Sequence, residues 1–343
     1  MKKILVTGGA GFIGTHTCVK LHESGYLPVI VDNLSNSHKS ALDGLYEICG
    51  VRFPFYDIDC TDEHGLRSVF EAEGPLEGVI HFAAFKAVGE SVRKPLEYYS
   101  NNVGSLITLL KVMKEFKVAN LVFSSSCTVY GQPDELPVTE DTPWQVANSP
   151  YGFTKQVCEQ MLTDIGNSGE SNFAAILLRY FNPIGAHHSG LIGELPLGKP
   201  ENLVPYITQT AVGQMEELVV FGSDYATADG TCVRDYIHVM DLANAHVLAL
   251  KWLIDHPGKT DCLNLGTGKG YTVLQVIKAF EAVSGSKLNY KIGPRRAGDV
   301  VSVYASADKA LKELHWRTEM SLEDALRDAW NWQLKLSKKP KHE

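Results

Sequence analysis

A chain of 343 residues with 44% hydrophobic and 21% charged residues has enough apolar content for a full core, in one large or two modest domains. With a net charge of −8, no Lys/Arg run suggests a nucleic-acid stripe, and no window of about 18 apolar residues could form a membrane span. Seven scattered cysteines without a C-x-x-C pair argue against a disulfide framework and against a zinc site, so a cytoplasmic, reducing location is expected, with no metal.

Residues 2–8 predict a first strand and 12–24 a helix. "PVIVD" (28–32) predicts a second strand and "VRFPFY" (51–56) a third, weakened by Pro54. A helix is expected over 62–73, a fourth strand at "GVIHFA" (78–83), and a long helix over 96–117 after Pro95. "NLVFSSS" (120–126) predicts a fifth strand, 150–166 a helix, and "FAAILLRY" (173–180) a sixth strand. Continuous apolar strands alternating with helices imply a parallel sheet covered on both faces.

After Phe181 the pattern changes. Residues 182–202 are rich in Gly, Pro, Asn and His, and short strands mixed with helices follow; Leu242, Ala245, Ala249 and Leu253 give one of those helices a buried stripe. The expected architecture is therefore α/β: a Rossmann-type doubly wound parallel sheet over 1–180, then a smaller mixed α/β domain over 181–343, some segments of which pack back on the first. The basic end "KLSKKPKHE" is expected to be a solvated tail.

"VTGGAGFIG" joins the first strand to the first helix, with Gly8, Gly11 and Gly14 in a G-x-x-G-x-x-G frame. Glycines there permit a tight turn and let backbone N–H groups approach a pyrophosphate at the helix N-terminus. Asp32, closing the second strand, is placed to accept hydrogen bonds from an adenosine ribose and to repel a 2′-phosphate, which favours NAD over NADP. "GTGKG" (266–270) is not a Walker loop, because Gly270 stands where Ser or Thr is required. The adjacent His187 and His188 lack neighbouring ligands in sequence and are expected to be solvated or substrate-lining.

In "SPYGFTK", Ser149 suits a helix N-cap and Pro150 the first helical position. Tyr151 and Lys155 then share one helical face. A phenol near pKa about 10 is too weak a base at neutral pH; a neighbouring ammonium and a cationic oxidised nicotinamide favour its ionised form. The strand end "FSSSCTVYG" places Ser126 at the same crevice, because strand C-termini face the ligand in a doubly wound sheet.

"TGGAGFIG", "SSSCTVYG" and "SPYGFTK" resemble the extended short-chain dehydrogenase/reductase superfamily. "HFAAFKAVGESVRKPLEYYSNNV", "LLRYFNPIGAH" and "DGTCVRDYIHVMDLA" are similar to its UDP-glucose 4-epimerase family, over Lys2 to about Trp332. The resemblance implies an isomerase of nucleotide-sugar and galactose metabolism, with Tyr151 as base, Lys155 tuning it and holding the nicotinamide ribose, and Ser126 on the sugar O4. It implies an NAD site at Gly8, Gly11, Phe12, Ile13, Gly14, Asp32, Asn33, Asn36, Ser37, Asp59, Cys60, Phe82, Ala83, Ala84, Lys86, Asn101 and Phe181. It implies a UDP-hexose site at Asn182, Asn202, Leu203, Phe221, Arg234, Arg296, Asp299 and Val303, and a homodimer paired through the helices near 96–117 and 150–166. In "RRAGDVVSVY" the fourth residue after Asp299 is Val303, where sugar-specific bacterial members resemble one another in having tyrosine; the smaller side chain predicts room for a 2-acetamido group.

Two alternatives are weighed against this. A nucleotide-sugar 4,6-dehydratase uses an Asp-Glu pair after the strand-end serine region, where this chain has Cys127 and Thr128, neither of them a carboxylic acid. A non-catalytic NAD sensor could keep the glycine loop and lose the tyrosine or lysine, yet Tyr151, Lys155 and Ser126 are all present. Serine-hydrolase chemistry lacks a G-x-S-x-G elbow.

Overall fold

The computed structural model describes residues 1–169, 172–296 and 299–338. The chain opens as β1 (Lys2–Thr7), α1 (Phe12–Glu23), β2 (Tyr26–Val31), α2 (Ser40–Cys49), β3 (Phe55–Tyr56), α3 (Glu63–Glu73) and β4 (Leu76–His81). It continues with α4 (Val88–Arg93), α5 (Pro95–Tyr98), a π-helical turn (Tyr99–Val103), α6 (Gly104–Glu115), β5 (Asn120–Ser124), a 3₁₀ turn (Cys127–Tyr130), α7 (Pro150–Asn167) and β6 (Ala174–Tyr180). The later half comprises β7 (Asn182–Ile184), α8 (Leu203–Ala211), β8 (Leu218–Phe221), β9 (Val233–His238), α9 (Val239–Asp255) and β10 (Thr260–Leu265). After these come β11 (Gly270–Thr272), α10 (Val273–Ser284), β12 (Tyr290–Gly293), β13 (Ser302–Val303), α11 (Asp308–Leu314) and α12 (Leu322–Lys338).

Seven parallel strands form the main sheet in the order β10-β6-β5-β4-β1-β2-β3. The chain winds outward from β1 to one edge and from β4 to the other, so the switch point lies between β1 and β4. Period-two alternation sorts the core. Ile4 and Val6 face the layer holding Leu242, Ala245, Ala249 and Leu253 of α9. Leu5 and Val79 face the layer holding Leu106, Leu109 and Leu162. A smaller sheet is centred on β9, which pairs with β7, β11 and β13, and a two-stranded pair joins β8 to β12.

Several elements differ from the sequence expectation for local reasons. The third strand shrinks to Phe55–Tyr56 because Pro54 offers no N–H, only a carbonyl that accepts from Ile30 at 2.9 Å. The helix expected over 96–117 is broken by the π-helical turn, and α2 and α4 were not anticipated. The later half supplies the main sheet's edge strand β10 and the covering helix α9. The expected tail is corrected at its start, since Lys335 to Lys338 close α12; its remainder from residue 339, and Ala297 and Gly298 within the 295–304 segment, lie outside the described residues.

Candidate active site

Every residue singled out above as a site residue lines one cleft of about 1090 Å³, opening over the C-terminal ends of β1, β4 and β5. One end is built by the glycine turn. Gly8 has φ +68°, and a Cβ there would lie 2.8 Å from the Ala83 nitrogen; a Cβ on Gly14 would lie 2.3 Å from the Gly8 carbonyl oxygen. Both positions therefore demand glycine. Gly11 caps α1 with no side-chain acceptor, so the amides of the first turn are left to a ligand. Asp32, 8% exposed, accepts from the Ala10 amide at 3.0 Å, the Leu34 amide at 2.9 Å and the Ser37 hydroxyl at 2.9 Å. The amide of Asn33 donates to Asp59 at 2.8 Å on the same side. This donor and acceptor set, in a cradle that side chains would fill, fits a dinucleotide.

At the centre Ser149 caps α7 by accepting from the Gly152 amide at 3.2 Å, which fixes the first turn and so the direction of Tyr151. Lys155, one turn on, is 4% exposed. Its ammonium donates to the Ser124 carbonyl at 2.6 Å and lies 5.9 Å from the Tyr151 ring centroid and 4.9 Å from that of Phe123. Ser126 caps the 3₁₀ turn, accepting from the Thr128 amide at 3.2 Å, and lines the cleft together with Tyr151.

The electrostatics correct one expectation. Burial pushes the Tyr151 phenol above its usual range, helped by the neighbouring Tyr180, while the Ser126 hydroxyl works against the rise. The lowering expected from Lys155 is not realised in the chain alone, because desolvation outweighs an ammonium that is turned toward a carbonyl. Lys155 is itself lowered to about 8 by burial, while Cys158 and Glu159 oppose the shift. Burial, with Lys155 adding to it, drives His81 to about 3, so that imidazole stays neutral. The Cys127 thiol is raised to about 11 by burial and is no acid at neutral pH.

The opposite wall carries the arginines. The Arg296 guanidinium donates to Asp299 at 2.8 Å, and that of Arg234 lies 3.6 Å from the same carboxylate. Phe221, 39% exposed, lies 5.9 Å beneath Arg296. Val303, 3% exposed, lies among Val129, Tyr130, Phe181 and Ala305, whereas Tyr304 turns toward Gly270.

Sequence reasoning missed Glu194. Its carboxylate bridges the two walls, 3.3 Å from the Lys86 ammonium and accepting from the Asn202 amide at 2.5 Å. A lone acid in a Gly/Pro-rich stretch gave no periodic signal. It also missed Asn102, in the π-helical turn, which pairs with both the N–H and the C=O of Phe85 at 2.8 and 3.0 Å and so holds the cleft loop. His187 is neither solvated nor in the cleft: it is 4% exposed, with Nδ1 2.8 Å from the Ser189 hydroxyl. The "GTGKG" turn is held by buried Asp235, which accepts from the Thr267 amide at 2.9 Å and hydroxyl at 2.7 Å. All seven cysteines are free thiols. Among the described residues, no group of three or more His, Cys, Asp or Glu could hold a metal, and no helix is long and apolar enough to cross a membrane.

A family model described as the NAD dependent epimerase/dehydratase family matches residues 4–266. A UDP-glucose 4-epimerase of Bacillus subtilis (strain 168) is 52% identical over 330 residues, covering 96% of each chain. The crystal structure of a UDP-glucose-4-epimerase from Stenotrophomonas maltophila, with bound NAD and formylated UDP-arabinopyranose, superposes with a TM-score of 0.95 at 47% identity, covering 98% of this chain and 99% of that one. A UDP-glucose 4-epimerase from Bifidobacterium longum, in complex with NAD+ and UDP, superposes with a TM-score of 0.93 at 51% identity, covering 97% and 98%.

Proposed function

The chain belongs to the NAD dependent epimerase/dehydratase family, and from that premise we propose that it is a UDP-glucose 4-epimerase, interconverting UDP-glucose and UDP-galactose with NAD as a resident cofactor. One observation carries this reading: the Tyr151 phenol, Ser126 and Lys155 meet in one cleft between a dinucleotide cradle and a two-arginine wall. NAD, when bound, supplies the hydride acceptor for C4 and a positive ring charge beside the phenol. Tyr151 takes the O4 proton and later returns it, Ser126 orients O4, and Lys155 adds the fixed charge. Arg234 and Arg296 clamp the diphosphate, being fork-shaped and permanently charged. With the nucleotide anchored, the 4-keto hexose turns about its link to the diphosphate and presents its other face, so C4 is inverted with no net redox change.

In this reading residues 1–180 hold the dinucleotide and 181–343 the UDP-sugar, with β10 and α9 packing back on the first unit. The space beside Val303 admits a 2-acetamido group, so UDP-GlcNAc and UDP-GalNAc are also interconverted. The protein works in the cytoplasm, in keeping with its free thiols. It works as a homodimer, supported by Ile107 of α6 and Phe153 of α7, which are 40% and 47% exposed; light scattering at twice the monomer mass is the expected result. A 4,6-dehydratase is disfavoured because neither Cys127 nor Thr128 can act as a carboxylic acid there.

The test is incubation of purified protein with UDP-galactose and no added NAD, with products separated by chromatography. UDP-glucose is expected. No conversion, or a 4-keto-6-deoxy product, would sink the proposal.

A further inference from the structure

Behind the cleft, and outside its lining, lies a buried ionic network. Glu159, one turn beyond Lys155 on α7, is 1% exposed, and Arg179 of β6 is 5% exposed. The guanidinium grips the carboxylate from two sides: Nε donates to Oε1 at 2.9 Å and Nη2 to Oε2 at 2.6 Å. The other guanidinium edge donates to the Tyr130 hydroxyl at 3.0 Å and the Glu140 carbonyl at 3.3 Å. Tyr130 in turn donates to Asn264 of β10 at 2.6 Å. The carboxylate's further partner is the hydroxyl of Ser125, which is fully buried.

Ser125 is the middle of three serines at the end of β5. Alternation along an extended chain sends its side chain away from the cleft, while Ser124 and Ser126 line it. Those two flanking residues set the reacting groups: the Ser124 carbonyl receives the Lys155 ammonium, and Ser126 lines the cleft with the phenol of Tyr151. The peptide is thus pinned from behind at the residue between its two working groups. An apolar cluster would fill that space without the desolvation of two ions. What the ion pair adds is direction, because a bidentate pair holds its hydrogen-bond partner in one geometry.

We propose that Ser125, Glu159 and Arg179 are positioning residues that fix the 124–126 strand end, and through it the placement of Lys155 and the catalytic phenol. The proposal rests on the epimerase reading of the cleft. Ser125 touches neither substrate nor cofactor space, so its effect is on the chemical step, not on nucleotide binding.

The test is steady-state kinetics of the holoenzyme with UDP-galactose, wild type against Ser125→Ala. A kcat lower by about tenfold with KM changed less than about twofold is expected, since small misplacements of reacting groups cost up to about 10²-fold. A kcat within twofold of wild type would overturn the proposal. Should Ser125→Ala fail to fold, Glu159→Gln is assayed across pH. Lys155 is faced by Tyr151, Cys158 and Glu159 on its own helix and by His81 from β4. Removing the Glu159 charge moves the alkaline limb of kcat to lower pH; an unmoved limb overturns the proposal. Wild-type protein inert toward UDP-galactose would instead defeat the underlying reading, a separate and recognisable failure.

Discussion

The Lys155 ammonium donates to the carbonyl oxygen of Ser124 at 2.6 Å, tying the helix that carries the phenol to the strand end that carries Ser126. A backbone carbonyl cannot move aside as a side chain can, so the ammonium is held in one place at the cleft wall. Loss of the phenol and loss of the ammonium therefore have different signatures.

Tyr151→Phe removes the proposed proton acceptor and leaves the cradle intact. Turnover should fall by about 10²–10⁴-fold, the span general-base catalysis supplies. The variant should still carry NAD, read from the nucleotide released on denaturation. Wild-type turnover in Tyr151→Phe would remove the phenol from the chemistry.

The pH dependence follows from Lys155 at about 8. Below that value it is cationic and, in the proposed mechanism with NAD bound, adds to the charge that favours the ionised phenol; as pH rises through about 8 that charge is lost and kcat should decline. The stability effect has the opposite sign. Folded Lys155 binds its proton less tightly than at the usual 10.5, so its burial costs stability below about 8, and that cost is relieved between about 8 and 10.5. Alkaline loss of activity should thus precede unfolding, which circular dichroism alongside the assay would show.

The acid side works through buried imidazoles. His16 and His81 fall from 6.5 to about 3, chiefly through burial. Between those values the unfolded chain binds more protons than the folded one, so stability falls as pH drops from about 6.5 toward 3. Denaturant midpoints at pH 7 and pH 4.5 should differ accordingly; equal midpoints would contradict the burial of neutral imidazoles.

Arg179→Met leaves the Glu159 carboxylate buried without its cation. Breaking one side of a buried pair costs about 3–5 kcal/mol, so the denaturant midpoint should drop sharply. A change below about 1 kcal/mol would show that water reaches the site.

On the proposed placement of the hexose beside Val303, Val303→Tyr should abolish turnover of UDP-GalNAc before that of UDP-galactose. Equal losses on both substrates would mean that the side chain does not border the C2 substituent.

What was legible in the sequence is what is local. The glycine turn, the Ser149–Pro150 helix start and the serine strand end each declare themselves within a few residues, because turn sterics and capping act over that range. The buried stripe of α9 was visible as periodicity, and its four named residues are all fully buried. The missed features depend on distant partners. Glu194 meets Lys86 across 108 positions, and Tyr130 meets Asn264 across 134. The break in the helix over 96–117 has no proline or glycine before Gly104 to announce it; the π-helical turn there coincides with the bonds Asn102 makes to the Phe85 backbone. Glu159 alone carried a hint, four residues beyond Lys155, but its arginine lies on another strand.

The most direct measurement uses UDP-galactose deuterated at C4 in ordinary water, with the product UDP-glucose analysed by mass spectrometry. Transient oxidation at C4, with the same hydride returned, predicts product that keeps the deuterium at that carbon. Deuterium lost to solvent would contradict a hydride mechanism and with it the role assigned to the Tyr151 cleft.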